Sequence, residues 1–145
     1  MKCVLQRVKF GAVDIAGERV AAIGPGLVIL VGARVGDTAA QADWLAEKVA
    51  QLRIFEDEAG KLNRSLLETG GHALVVSQFT LYADAQKGRR PSFTDAAPPD
   101  QAEPLLARFA EQLQRHGVPV QTGRFRAEMQ VTIHNDGPVT IILER

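Results

Sequence analysis

The chain has 145 residues, of which 46% are hydrophobic and 23% charged. Lys and Arg number 17 and Asp and Glu number 17, so the formal net charge is zero. This excludes wholesale disorder, and it excludes binding of nucleic acid or membrane by bulk charge while leaving room for a local basic patch.

A chain of this length forms one domain, residues 1–145, and no Gly/Ser linker or repeat divides it. The single cysteine, Cys3, allows no internal disulfide. The N-terminus has no continuous apolar run, and the two features together point to a reducing, cytoplasmic setting. The most apolar stretch, Leu27–Val31, is far shorter than the roughly 20 residues of a membrane helix.

Residues 2–9 alternate as a strand, with Cys3, Leu5 and Arg7 on one face and Val4, Gln6 and Val8 on the other. Val13–Ile15 and Arg19–Ile23 flank a hairpin signal at Ala16-Gly17-Glu18. Gly24-Pro25-Gly26 is a turn, and residues 27–33 are apolar on both faces, as in a strand buried from both sides. Thr38 and Gln41 then form a capping box for an amphipathic helix over 39–53. Glu56–Gly60 reads as a turn and Ala73–Phe79 as another strand. Residues 84–99 are a polar loop carrying Lys87, Arg89 and Arg90.

A second helix spans roughly 100–116, with Pro104 expected in its first turn and Gly117 as C-cap. Strands at 118–122, 127–134 and 139–143 follow, the last two joined by an expected hairpin turn at Asn135–Pro138. Two main helices among about seven or eight strands give an α+β class, a single compact domain with a sheet or barrel-like core.

The familiar catalytic patterns are absent. There is no Gly-x-Ser-x-Gly elbow, P-loop or dinucleotide fingerprint, and His72, His116 and His134 lack metal-ligand spacing. No motif calls for a metal or other cofactor. In Ser77-Gln78-Phe79-Thr80-Leu81 an apolar strand acquires hydroxyls at its end, where exposed N–H groups can bind a carbonyl or ester. On pattern alone, a strand end with its hydroxyls satisfied by backbone is the commoner arrangement. Strand alternation places Ser77 and Phe79 on one face and Gln78 and Thr80 on the other. Arg7 either anchors carbonyls or a carboxylate, or lies at the surface.

Ser77–Leu81 and Asn135-Asp136-Gly137-Pro138-Val139-Thr140 resemble the two signature motifs of the D-aminoacyl-tRNA deacylases of bacteria and eukaryotes. Met1–Val8, Leu52–Asp57, Lys87–Phe93 and Asp95–Pro99 resemble that family too, so the likeness runs the length of the chain. It departs at Phe10-Gly11-Ala12, at Arg126-Ala127-Glu128-Met129 where the family pattern has Gly-Ala-Asp-Met, and at His134.

The resemblance implies a homodimer with active sites at the subunit interface. It implies a cis Gly137-Pro138 bond reaching into the partner's pocket, with Arg7 holding that loop and Met129 among the substrate-binding residues. It implies that Ser77, Gln78, Phe79 and Thr80 form the catalytic segment around the aminoacylated 3′ adenosine. The activity implied is hydrolysis of D-aminoacyl-tRNA, and of glycyl-tRNA mischarged on tRNA(Ala), with L-aminoacyl esters rejected. Lys87, Arg89 and Arg90 are then candidates for tRNA phosphate contacts, or an ordinary solvated loop. The partner is tRNA, with neither DNA nor membrane expected.

Two other classes compete. A module holding single-stranded nucleic acid without chemistry needs aromatics and a basic groove, and aromatics here are 6%. A general esterase with a Ser77 or Thr80 nucleophile needs a base that no pattern supplies.

Overall fold

A computed structural model describes residues 1–145. Its organising element is β1 (Lys2–Ile15), a 14-residue strand that joins the two short strands expected there. Phe10-Gly11-Ala12 lets it run on. A Cβ at Gly11 would stand 2.5 Å from Val28 Cγ2, so only glycine fits as β1 crosses the neighbouring strand.

One edge of β1 pairs antiparallel with β3 (Gly26–Gly32) along Lys2–Val8 and with β2 (Glu18–Ile23) along Gly11–Ile15. Ala16 and Gly17 both have positive φ, 51° and 82°, as a tight β1–β2 hairpin requires. β3 runs parallel to β6 (His72–Ser77), which runs parallel to β7 (Val120–Thr122). The sheet order is β2-β1-β3-β6-β7, with β8 (Gln130–Glu144) on the other edge of β1. β2 at one end also packs near β6 and β7, so the sheet curls into a nearly closed barrel.

The curl creates two cores. Inside it, Val8, Val13, Ala21, Ile23, Val28, Leu74 and Val76 form a small cluster. Outside it, Leu5, Leu27, Ile29 and Val75 pack with two helices, α1 (Ala39–Gln51) and α3 (Pro99–Arg115). β3 feeds both clusters, which explains its apolar character on each face. Thr38 and Gln41 make both bonds of the capping box on α1. Arg108 Nε and Nη2 of α3 donate to the Asp43 carboxylate of α1 at 2.6 and 2.8 Å.

α3 starts at Pro99, so Pro104 lies in its second turn and not its first. The N–H that proline lacks would have served the Asp100 carbonyl, which sits at the exposed helix start where water can replace it. Gly117 closes α3 at φ +95°, with its own N–H and that of Val118 donating to Gln114 O and Leu113 O.

Three short elements depart from the expected list. β4 (Phe55–Glu56) and β5 (Leu62–Arg64) form a separate two-stranded sheet around the 57–61 turn. α2 (Leu66–Thr69) is a single turn capped by Ser65 and Glu68.

The expected hairpin at Asn135–Pro138 is no reversal, because β8 is one strand running through it. Gln6 faces Thr140 and Val8 faces Asn135, so residues 136–139 leave the ladder as an excursion opposite Arg7. Turn-type residues here serve a bulge, since β1 is long enough to pair with both halves of β8. The far edge of β8 has no partner strand, and Ile142 within it is 65% exposed. No helix is long and apolar enough to cross a membrane.

Candidate active site

A cavity of about 620 Å³ opens where β3 and β6 end. Its wall comes from three segments: Ser77–Phe79, the chain from Phe93 to Pro99 leading into α3, and Phe125–Met129 before β8. Thirteen of its 18 lining residues are hydrophobic, and Arg126 is the sole charged one. No histidine, carboxylate, lysine or cysteine faces it.

Of the Ser77–Leu81 segment only Ser77 belongs to the strand, which alternation had carried to Phe79. β6 stops at Ser77 and the chain folds into a 3-10 turn over Phe79–Tyr82. Gly32 leaves room for this: Gln78 N–H donates to Val31 O at 2.8 Å, and a Cβ at Gly32 would stand 2.7 Å from Gln78 O. The two-face alternation therefore fails after Ser77. Ser77 and Gln78 are half-buried in the cavity wall, Phe79 is 57% exposed at its edge, and exposed Thr80 lies outside the lining.

The first N–H groups of such a turn have no partner within it, and the Gln78 side chain does not cap them. That amide instead donates to the Thr80 hydroxyl. Phe79 and Phe93 meet edge to face, ring centroids 5.1 Å apart. Just beyond, Asp84 and Ser92 exchange two backbone bonds of 2.8 Å that close a loop. Lys87, Arg89 and Arg90 stand exposed in that loop, without an ion pair.

Met129 lines the cavity and packs against the inner core. A Cβ at Gly123 would stand 2.6 Å from its sulfur, so the glycine leaves room for that side chain.

Arg7, Gly137 and Pro138 are assembled elsewhere on the same chain. Arg7 is 6% exposed and donates to Ile54 O at 3.0 Å and Asp136 O at 3.2 Å, with Glu56 and the Asp136 carboxylate at 3.4 Å. Arg7 and Asp136 border a separate cavity of about 260 Å³ and not the large one. The Gly137-Pro138 bond is cis, both residues are exposed, and Gly137 has φ +118°. A Cβ there would stand 2.9 Å from Val139 Cγ2 and 3.0 Å from Arg7 Nη2.

Asn135, the first residue of the second motif but given no role of its own from sequence, closes the neck of the excursion. Its side-chain amide donates to Arg7 O at 3.0 Å and to Val139 O at 3.1 Å. Its signal was present, as an asparagine at the first position of a turn-like run.

The remaining candidates are distant or quiet. His72, His116 and His134 are exposed, and His134 packs against Phe10 with centroids 5.3 Å apart. Burial pushes the Cys3 thiol up to about 12, which keeps it protonated and unreactive. No group of three or more His, Cys, Asp or Glu side chains is placed to hold a metal.

The sequence and the fold have close counterparts. A family description, D-Tyr-tRNA(Tyr) deacylase, matches residues 4–144. A D-aminoacyl-tRNA deacylase of Thermomicrobium roseum is 62% identical, covering 99% of this chain and 94% of the relative. The protein of that name from Ruegeria pomeroyi is 56% identical, covering 99% of each.

Among solved structures, one titled c-Myc DNA Unwinding Element Binding Protein superposes with a TM-score of 0.93 at 43% identity, over 100% of this chain and 99% of the other. A probable eukaryotic D-amino acid tRNA deacylase shares the fold at TM-score 0.86 and 18% identity, over 98% and 97%. These matches make the chain a hydrolase of translation quality control. It belongs to the D-Tyr-tRNA(Tyr) deacylase family, and it is an enzyme of the D-aminoacyl-tRNA deacylase type.

Proposed function

We propose that the chain cleaves the ester of D-aminoacyl-tRNA in the large cavity, as a cytoplasmic homodimer in which each subunit's excursion completes its partner's site. The observation that carries this reading is the separation just described. The apolar cavity with its free N–H groups and the exposed excursion at Gly137-Pro138 lie apart on one chain, and β8 beside the excursion has an open edge. A second copy meeting that edge brings the two halves of a site together.

The N–H groups of Phe79 and Thr80 receive the developing oxyanion. Ser77 and Gln78 line the floor beneath the terminal adenosine, and Met129 supplies apolar contact. With no base facing the cavity, Thr80 has no means of activation, and the ribose 2′-hydroxyl of the substrate itself assists the attack. That requirement makes the substrate RNA and not DNA.

The partner's Gly137 and Pro138 carbonyls accept the α-ammonium, which only donates. Arg7 and Asn135 hold those carbonyls still. An L side chain then meets the excursion backbone, a D side chain escapes to solvent, and glycine, with no side chain, is accepted. Lys87, Arg89 and Arg90 hold RNA phosphates, so neutralising them weakens binding and flattens its salt dependence.

The test is ester loss from matched D- and L-tyrosyl-tRNA, with chelator present. Rapid loss of the D ester alone is expected. Loss of both esters refutes the exclusion role of Gly137-Pro138, and a wholly inert glycyl-tRNA does the same. Loss of neither refutes the activity. Sedimentation of the same sample gives the oligomeric state, and a monomer with full activity refutes the shared site.

A further inference from the structure

We infer that Arg126 is a phosphate-binding residue that fixes how the RNA enters the cavity. The inference rests on the reading of the cavity proposed above. Three observations meet at this side chain.

Arg126 occupies a backbone position that an L residue seldom takes. Residues 124–127 form a turn in which Ala127 N–H donates to Arg124 O at 3.2 Å. Arg126 is the third residue of that turn and has φ +62°. This is the place in a type II turn where glycine or asparagine is favoured. The arginine holds the turn at a steric cost that glycine avoids, and such a cost directs attention to the side chain.

Its charge is also unmatched. Arg126 is the sole charged residue of the cavity wall. It is exposed and forms no ion pair, although Glu128 stands two residues further on. Arg124, on the other side of Phe125, is likewise exposed and unpaired.

The surroundings sort charge by sign. A second cavity of about 340 Å³ adjoins the first through Ser77, Leu106 and Phe125, and carries Glu103 and Glu111. A polyanion is repelled there and accepted beside Arg126. An aminoacylated nucleoside filling the apolar cavity leaves one phosphodiester, that of the terminal nucleotide, at its mouth. A planar guanidinium meets two phosphate oxygens at once, which an ammonium cannot do. The arginine therefore reads the RNA chain, and not the amino acid or the base.

The test pairs two esters, D-tyrosyl-tRNA and D-tyrosyl-adenosine, the second lacking any phosphate. Arg126→Gly suits φ +62° and should melt no lower than wild type. Its ratio of kcat/KM on the tRNA ester to that on the nucleoside ester should fall about tenfold, one lost contact of ~1.4 kcal/mol. The fall should appear in KM, and the slope of log kcat/KM against log salt should become shallower by about 0.7. Arg126→Lys should give an intermediate ratio. An unchanged ratio in Arg126→Gly overturns the inference, as does an equal loss on both esters. A wild-type chain that cleaves the nucleoside ester but gains nothing from the phosphates also overturns it, leaving the deacylase reading intact. A wild-type chain that cleaves neither ester overturns both.

Discussion

The cavity wall and the β8 excursion make opposite use of similar backbone. At the wall, a strand ends in a 3-10 turn whose leading N–H groups are left free, among mostly apolar side chains. At the excursion, a strand is interrupted and resumed, and its neighbours fasten it: Asn135 across the neck, Arg7 beneath it, and the ladder to β1 on either side. The wall leaves polar groups open for a ligand, whereas the excursion spends its anchoring side chains on holding shape. The lesson is that a cavity without a reactive side chain leans on rigid geometry supplied from elsewhere.

The largest effect expected is at Gly137. Gly137→Ala puts a methyl within 3.0 Å of Arg7 Nη2 at φ +118°, so the excursion must shift. Displacement of about 1 Å costs roughly a hundredfold in rate, and kcat/KM on the D ester should fall by that order. The melting temperature should fall by a few degrees as well, since alanine is strained at that φ. A variant with wild-type kinetics would mean that the excursion has no part in catalysis.

Arg7→Ala should act on both stability and selectivity. It strips the donor from the Ile54 carbonyl in a buried setting, at a cost of about 2 kcal/mol. Thermal unfolding should drop by roughly 5–10 °C. The ratio of D to L ester hydrolysis should fall in the fraction that stays folded, and an unchanged ratio would remove Arg7 from the holding role.

Thr80→Ala probes the wall. Thr80 lies outside the cavity lining and its hydroxyl is engaged by Gln78, so turnover should stay within about tenfold of wild type. Loss of several orders of magnitude in a folded variant would identify a nucleophile after all.

The smallest effect spares both regions. Asp14, Asp43, Asp57 and Glu68 have carboxyl groups held below their usual range. Hydrogen bonds from Arg19, from Arg108, from the Lys61 backbone and from the Ser65 backbone are the respective causes. A lowered folded pKa stabilises above the unfolded value and loses that stabilisation as pH falls through the folded one. Melting temperature should therefore be level above about pH 5 and decline below about pH 4, modestly because Glu68 is exposed, the three aspartates are only half-buried, and solvent screens them all. None of them borders the large cavity or forms part of the excursion. A decline beginning well above pH 5 would mean that these carboxylates do not set the acid limb.

β1 was legible because burial imposes a period of two, β3 and β6 because strands covered on both faces are apolar throughout, and α1 because Thr38 and Gln41 announce its start. What escaped has tertiary causes. Asn-Asp-Gly-Pro is turn vocabulary, and nothing local says that the chain resumes pairing with the same partner; the length of β1 decides that. Phe79–Tyr82 alternates like a strand, yet it turns away where Gly32 leaves room for Gln78 O. α2 is too short to have a period. Arg7 and Ser77 both belong to recognisable motifs, but their separation on a single chain depends on the sheet order. The left-handed conformation at Arg126 is masked by an ordinary residue type.

The chemical quietness of the cavity wall reaches beyond catalysis. With Cys3 buried and protonated and no lysine, histidine or carboxylate on the lining to activate Ser77, electrophiles that silence serine and cysteine hydrolases find no activated nucleophile there. The one readily oxidised atom it offers is the thioether sulfur of Met129, whose conversion to a sulfoxide would put a polar oxygen on an apolar wall. Such a catalyst tolerates acylating and alkylating poisons, and its weakness is peroxide.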